Sequence, residues 1–143
     1  MDAFPSWLVW ALLSALFASL TAIFAKVALS GIDSDYATLL RTFVIVGVLG
    51  TFVGWVGKWS NPLALAPRTA LFLVLSGLAT GASWVCYFRA LQSGEASKVA
   101  PVDKFSLVLV AILAFAFLGE RPNGREWAGI ALVVSGVVLL SFK

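Results

Sequence analysis

Three ionisable residues, Arg41, Asp103 and Lys104, stand inside or at the mouth of long apolar runs, and Glu120 closes another such run. In hydrocarbon a charged side chain costs about 2.5–3.5 kcal/mol, so where one occurs it faces a partner, a proton path or a substrate. Asp103 is a carboxylate able to hold a proton or a cation, or to answer a nearby base; Arg89, Arg41 and Lys26 are expected at its membrane level. Lys104 follows it directly, and neighbours in a helix point about 100° apart, a poor geometry for an ion pair between them. Arg41 lies about 8 Å from the expected start of its helix, at ~1.5 Å per residue, and either snorkels to the headgroups or pairs with an acid. Together Arg41, Asp103 and Lys104 read as a charged gate or coupling site. Pro101 either occupies a first turn, where its missing N–H costs little, or kinks a helix that starts earlier and frees a carbonyl. Glu120 falls at the carboxyl end of a helix, where the macrodipole disfavours an anion. A partner is therefore expected in Arg121, Arg125 or the amino end of the next helix, with an architectural role.

A second pattern is uncharged. Trp7, Trp10, Ser14, Phe17, Ala18 and Thr21 fall within about a third of one helix's circumference, and Ser76, Thr80, Ser83, Trp84 and Tyr87 do the same on another. Hydroxyls mixed with aromatic faces describe a pocket wall that orients a substrate and stacks on it. Trp10, Ser14, Thr21, Thr80, Trp84 and Tyr87 are the candidate substrate-binding residues. The competing reading is that the aromatics form an interfacial belt and that the hydroxyls bond to their own helix backbone.

Positioning these groups is the task of five apolar runs, Pro5–Val27, Tyr36–Val56, Arg68–Leu91, Lys98–Leu118 and Glu126–Phe142. Each is near the ~20 residues that cross a bilayer as a helix. The first begins with Asp2 rather than a basic segment and exceeds a signal peptide's apolar core, so it is expected to be retained. Hydrophobic residues make up 61% of the chain and charged ones 12%, against roughly 25% charged in soluble domains, and mean hydropathy is +0.99. The fold class is therefore an all-α membrane protein of five transmembrane helices in one domain, 1–143. Gly47, Gly50, Gly54 and Gly57 fall on one face of the second helix, Gly77 and Gly81 sit together on the third, and Gly129 and Gly136 form a ridge on the fifth; small residues of this kind seat neighbouring helices.

Inventory excludes several activities. The net charge of +3 is spread singly between apolar runs, without the basic stripe a nucleic-acid partner needs. With no His and only Cys86, metal clusters, internal disulfides and Cys/His catalysis are not expected. No cofactor and no enzymatic activity are expected. Lys and Arg are divided evenly between the two sides, with Lys58, Arg68, Arg121 and Arg125 on one and Lys26, Arg89, Lys98 and Lys143 on the other; adding Arg41 and Lys104 tips the second side slightly. So weak a bias permits either a single orientation or dual insertion, in which two copies meet upside down. An odd helix count makes the second arrangement a ten-helix inverted repeat.

At this point a resemblance is carried by Tyr87-Phe-Arg-Ala-Leu91, Gly94-Glu-Ala-Ser97, Ala100-Pro101-Val-Asp103-Lys104, Leu118-Gly119-Glu120-Arg121, Gly129 and Gly136. Over its whole length the chain resembles one EamA-type domain of the drug/metabolite transporter superfamily, in its small single-domain branch. The resemblance implies a multi-pass protein of a prokaryotic cytoplasmic membrane, working by alternating access as an antiparallel homodimer, with a central cavity walled mainly by the first four helices of each copy. Four-helix relatives that export quaternary cations use a carboxylate within their first helix. This chain offers Ser14 and Thr21 there and no acid, which leaves Asp103 as the intramembrane carboxylate. The expected partners are the bilayer, a small metabolite or amphipathic substrate and a second copy. The alternatives are a membrane scaffold that assembles with a larger complex and, third, a passive pore.

Overall fold

The computed structural model describes residues 5–141; Phe142, the expected end of the last helix, and Lys143 lie outside the described residues. Six α-helices run in order: α1 Ser6–Ala28, α2 Ser34–Trp55, α3 Pro67–Ser93, α4 Ala96–Asp103, α5 Ser106–Leu113 and α6 Gly124–Ser141. With the segment that follows them, α4 and α5 form one span, Ala96–Leu118, and five stretches are long and apolar enough to cross a membrane. The expected helix limits fall within about two residues of these, as end fraying allows.

The helix ends are set by local chemistry. The Asp33 carboxylate accepts from the backbone N–H groups of Asp35 (2.9 Å) and Tyr36 (3.1 Å), which starts α2. Gly57, at φ +68°, ends it in a left-handed residue. Asn61 accepts from the Leu63 N–H at 3.0 Å and opens a single 3₁₀ turn over Pro62–Ala64. The start of α6 is reciprocal: Asn123 accepts from the N–H groups of Arg125 and Glu126, and Glu126 accepts from the Asn123 N–H at 2.6 Å. That is a capping box.

Two compact units emerge, each described by itself. In residues 23–93, α2 packs along α3, and the buried residues are Ala25, Leu29, Ser34, Ala37, Thr38, Phe88 and Leu91. Small Ala37 and Thr38 let α2 approach the face of α3 that carries Phe88 and Leu91. In the other unit, residues 1–22 and 94–143, α4 and α5 pack against α6, where Val137 is buried. Elsewhere large apolar side chains point outward, Leu132 and Leu139 among them, as expected where lipid tails are the solvent.

The fourth span is not one regular helix. Pro101 is the sixth residue of α4, well inside the helix and past the first turn. Its ring removes the hydrogen bond that the Ser97 carbonyl would accept. Two residues on, the backbone tightens: the N–H groups of Lys104, Phe105, Leu107 and Val108 each bond three residues back at 3.0 Å. After α5 the chain loosens into a π-helical turn, Ala114–Leu118, and Gly119 ends it at φ +69°.

Candidate functional site

The α2–α3 unit holds three cations at one end of its helix pair, and each meets a different kind of group. Arg89 grips Asp35 through two bonds, Nε to Oδ1 at 2.8 Å and Nη2 to Oδ2 at 2.6 Å, the planar bidentate match in which arginine is strongest. Lys26 donates to the Leu91 carbonyl at 2.6 Å, one of the last-turn carbonyls a helix leaves unpaired. Gln92 reaches the Ile32 carbonyl at 3.1 Å. The end of α1, the loop after it, the start of α2 and the end of α3 are thereby laced into one corner.

Arg41 is the third cation. It stands seven residues into α2, about 10 Å along the helix, and its guanidinium carbon lies 4.0 Å from the centre of the Trp84 ring and 5.2 Å from that of Phe88. Trp84 and Phe88 are four residues apart and so occupy one face of α3. Two aromatic faces contribute about 1–2 kcal/mol, which offsets roughly half the cost of a charge in hydrocarbon. Of the two expected outcomes, pairing with an acid is not what is seen: among the described residues the guanidinium meets two π-faces and no carboxylate. Arg41 Nη1 is buried and has no hydrogen-bond partner among the described residues.

In the other unit Asp103 and Lys104 are paired, Oδ2 to Nζ at 3.5 Å, which corrects the expectation that adjacent residues would diverge. The helix ends between them, so the 100° rule for a continuous helix does not apply. Arg89, expected to answer Asp103, is taken by Asp35. Glu120 forms no ion pair among the described residues; the amino end of α6 is already occupied by Asn123 and Glu126, which corrects the partner assigned to it. Glu120 instead joins Arg121, Pro122 and Glu126 at the mouth of an open groove of about 610 Å³, walled by Leu107, Val110, Ala111 and Ala114 on one side and Gly129, Ile130 and Val133 on the other. Nothing in the sequence points to that groove, since the last helix reads as a packing ridge and a π turn leaves no periodicity to detect.

The remaining candidates are spread along their helices. Trp10 and Ser14 are exposed on α1 and Thr21 is half-buried; Trp84 and Tyr87 are half-buried on α3. Thr80 is exposed, and its hydroxyl donates to the Ser76 carbonyl at 2.9 Å, so its donor is spent within the helix. A side chain added at Gly47, Gly50, Gly54, Gly77, Gly81, Gly129 or Gly136 would meet nothing within 4 Å. Among the described residues, the glycines expected to seat a neighbouring helix therefore have no close contact at their Cβ positions. Asp35, the acid that answers Arg89, is not among the residues singled out from the sequence. It read as loop, although an acid in the first turn after an Asp cap is a favourable place for negative charge.

The family model for EamA-like transporters matches residues 5–142. An uncharacterized transporter in the cobO 3' region of Sinorhizobium sp. is 55% identical over 136 residues, covering 95% of this chain and 96% of the relative. The ArnE subunit of a probable 4-amino-4-deoxy-L-arabinose-phosphoundecaprenol flippase from Yersinia pseudotuberculosis is 31% identical over 85 residues, 59% of this chain and 75% of the relative. A Yersinia pestis ArnE matches to the same extent. No solved structure matches the chain.

Proposed function

The chain belongs to the EamA-like transporter family, and from that premise we propose that it is a carrier moving a small metabolite or amphipathic compound outward by alternating access. It is a multi-pass membrane protein, and its bacterial relatives support placing it in a prokaryotic cytoplasmic membrane. The observation that carries the mechanism is the discontinuous fourth span, with its interior Pro101, its turn at Lys104–Phe105 and its π turn. Broken helices are where transporters bend and where freed backbone groups meet cargo. The Asp103–Lys104 pair sits at that break, so a proton or a charged substrate reaching Asp103 competes with Lys104 for it. Trp10, Ser14, Thr21, Thr80, Trp84 and Tyr87 are the proposed substrate-binding residues, with Arg41, Asp103 and Lys104 as gate.

An antiparallel homodimer completes the cavity in this reading. The odd number of spans, the even division of Lys and Arg and the open glycine faces of α2, α3 and α6 support it. The test is solute flux in proteoliposomes, comparing the wild type with Asp103→Asn and Trp84→Ala. Both variants are expected to lose most of the flux; unchanged rates in both would remove the site, and no flux across a broad solute panel would remove the carrier.

A second reading has a specific observation behind it, because the Yersinia relatives are named as subunits of a flippase. On that reading the same faces seat a different protein, and the working unit is a heteromer. Affinity purification from the native membrane separates the two: a homodimer active alone supports the carrier, and an obligate second protein supports the subunit.

A further inference from the structure

Arg41 is held in a way that leaves its chemistry unused. A cation over an aromatic face is held by the ring's quadrupole and gives up no N–H donor to it. Trp84 at 4.0 Å and Phe88 at 5.2 Å from its guanidinium carbon therefore hold Arg41 by π-faces, which accept no conventional hydrogen bond from it. The unit's first-turn acid, Asp35, is fully engaged by Arg89 through both oxygens, and the Asp33 carboxylate caps α2. Nη1 meanwhile is buried with no acceptor. A buried donor left without an acceptor costs about 1–3 kcal/mol, more when charged, and the aromatic contacts leave a comparable part of the charge uncompensated. Both deficits are removed by one ligand chemistry, an oxyanion that accepts from the guanidinium edge.

We propose that Arg41 is the anion-recognition point of the carrier: held over the faces of Trp84 and Phe88, it receives a carboxylate or phosphate group of the transported compound. The proposal rests on the transport reading and deepens it by naming the substrate's charged group. Trp84 acts as a positioning residue, and the apolar part of an amphipathic cargo lies along exposed helix faces of the kind that surround it. The anion comes from a water-soluble metabolite or from a lipid headgroup, and the two sources differ in how they reach the site.

The experiment measures thermal stability of the full-length chain in phosphatidylcholine nanodiscs with inorganic phosphate, with acetate, and with chloride at matched ionic strength, then in nanodiscs containing phosphatidylglycerol. Because only ligands that bind the folded state raise stability, a soluble source is expected to stabilise the wild type beyond chloride. A lipid source is expected to act only through phosphatidylglycerol. In either arm Arg41→Gln should weaken the half-saturating concentration about 10–100-fold, the worth of a charged hydrogen bond, and Arg41→Lys should fall between. Trp84→Leu keeps Arg41 but removes its platform, and is expected to weaken binding should Arg41→Gln not fold. No stabilisation of the wild type beyond chloride by phosphate, acetate or phosphatidylglycerol overturns the proposal. So does equal stabilisation of wild type, Arg41→Gln and Trp84→Leu. Binding is read without flux: a bound anion with no flux of any solute removes the carrier and leaves the site, whereas flux of uncharged solutes with no anion binding removes the site and leaves the carrier.

Discussion

The corner where α1 ends, α2 begins and α3 ends, and the fourth span, Ala96–Leu118, solve the same problem in opposite ways. Both place charge and irregular backbone in an apolar chain. In the corner every group has a mate: Arg89 with Asp35, Lys26 with a helix-end carbonyl, Gln92 with the loop, all over buried Phe88 and Leu91. In the fourth span Pro101 denies Ser97 its bond, the helix stops and restarts, and Asp103 meets Lys104 at only 3.5 Å with both side chains exposed. On the proposed alternating-access reading, the laced corner is the fixed reference and the discontinuous span, which lacks a helix hydrogen bond at Pro101, is the part that moves.

Truncation of the cores sharpens the contrast most. Leu91, fully buried, is expected to cost about 2–3 kcal/mol as Leu91→Ala, at the low end of core values because lipid tails are as apolar as the core they replace. Val110→Ala in the fourth span, where the side chain is 62% exposed, should cost less than about 1 kcal/mol. Denaturant titration in mixed micelles reads both, and equal losses would break the comparison. Pro101→Ala is expected to act with the opposite sign. Restoring the Ser97 bond should stabilise the chain by about 1–2 kcal/mol, a part of the ~3 kcal/mol proline costs in a helix, while flux falls; a stabler protein with undiminished flux would show that the break is not used. Gly119→Ala should cost about 1 kcal/mol. Its φ of +69° is the whole reason, since the added methyl would meet open space. The smallest effect is expected for Arg89→Lys, which keeps the charge but loses the planar two-point grip on Asp35; it should lower the melting temperature slightly and leave flux intact.

How much of this was legible beforehand depended on the range of the interaction. The five spans follow from composition and length, whereas the caps at Asp33, Asn61 and Asn123 and the left-handed glycines at 57 and 119 that set their ends appear only in the structure. Arg41 was recognisable as a costly residue, but its partners are on α3, some forty positions away, and a π-face leaves no charge to search for. The partner of Arg89 is hidden for the same reason: Asp35 is distant in sequence and stands just before the apolar run that begins at Tyr36. The Asp103–Lys104 contact failed differently, since a rule for continuous helices was applied where the helix ends. Thr80 shows a pattern that was legible but two-sided, as its hydroxyl serves its own helix through Ser76.

The π turn at Ala114–Leu118 has a consequence in residue counting. A ring closed from the Gly119 N–H to the Ala114 carbonyl encloses one residue more than an α-helical ring does. Deleting a single residue from an ordinary span rotates everything beyond it by about 100° and turns its faces away from their neighbours. Here a deletion within Ala114–Leu118 has a spare residue to consume: the turn tightens to α and Gly119, Glu120 and the start of α6 keep their bearing. The fourth span thus contains the place in this chain where length can change without changing direction.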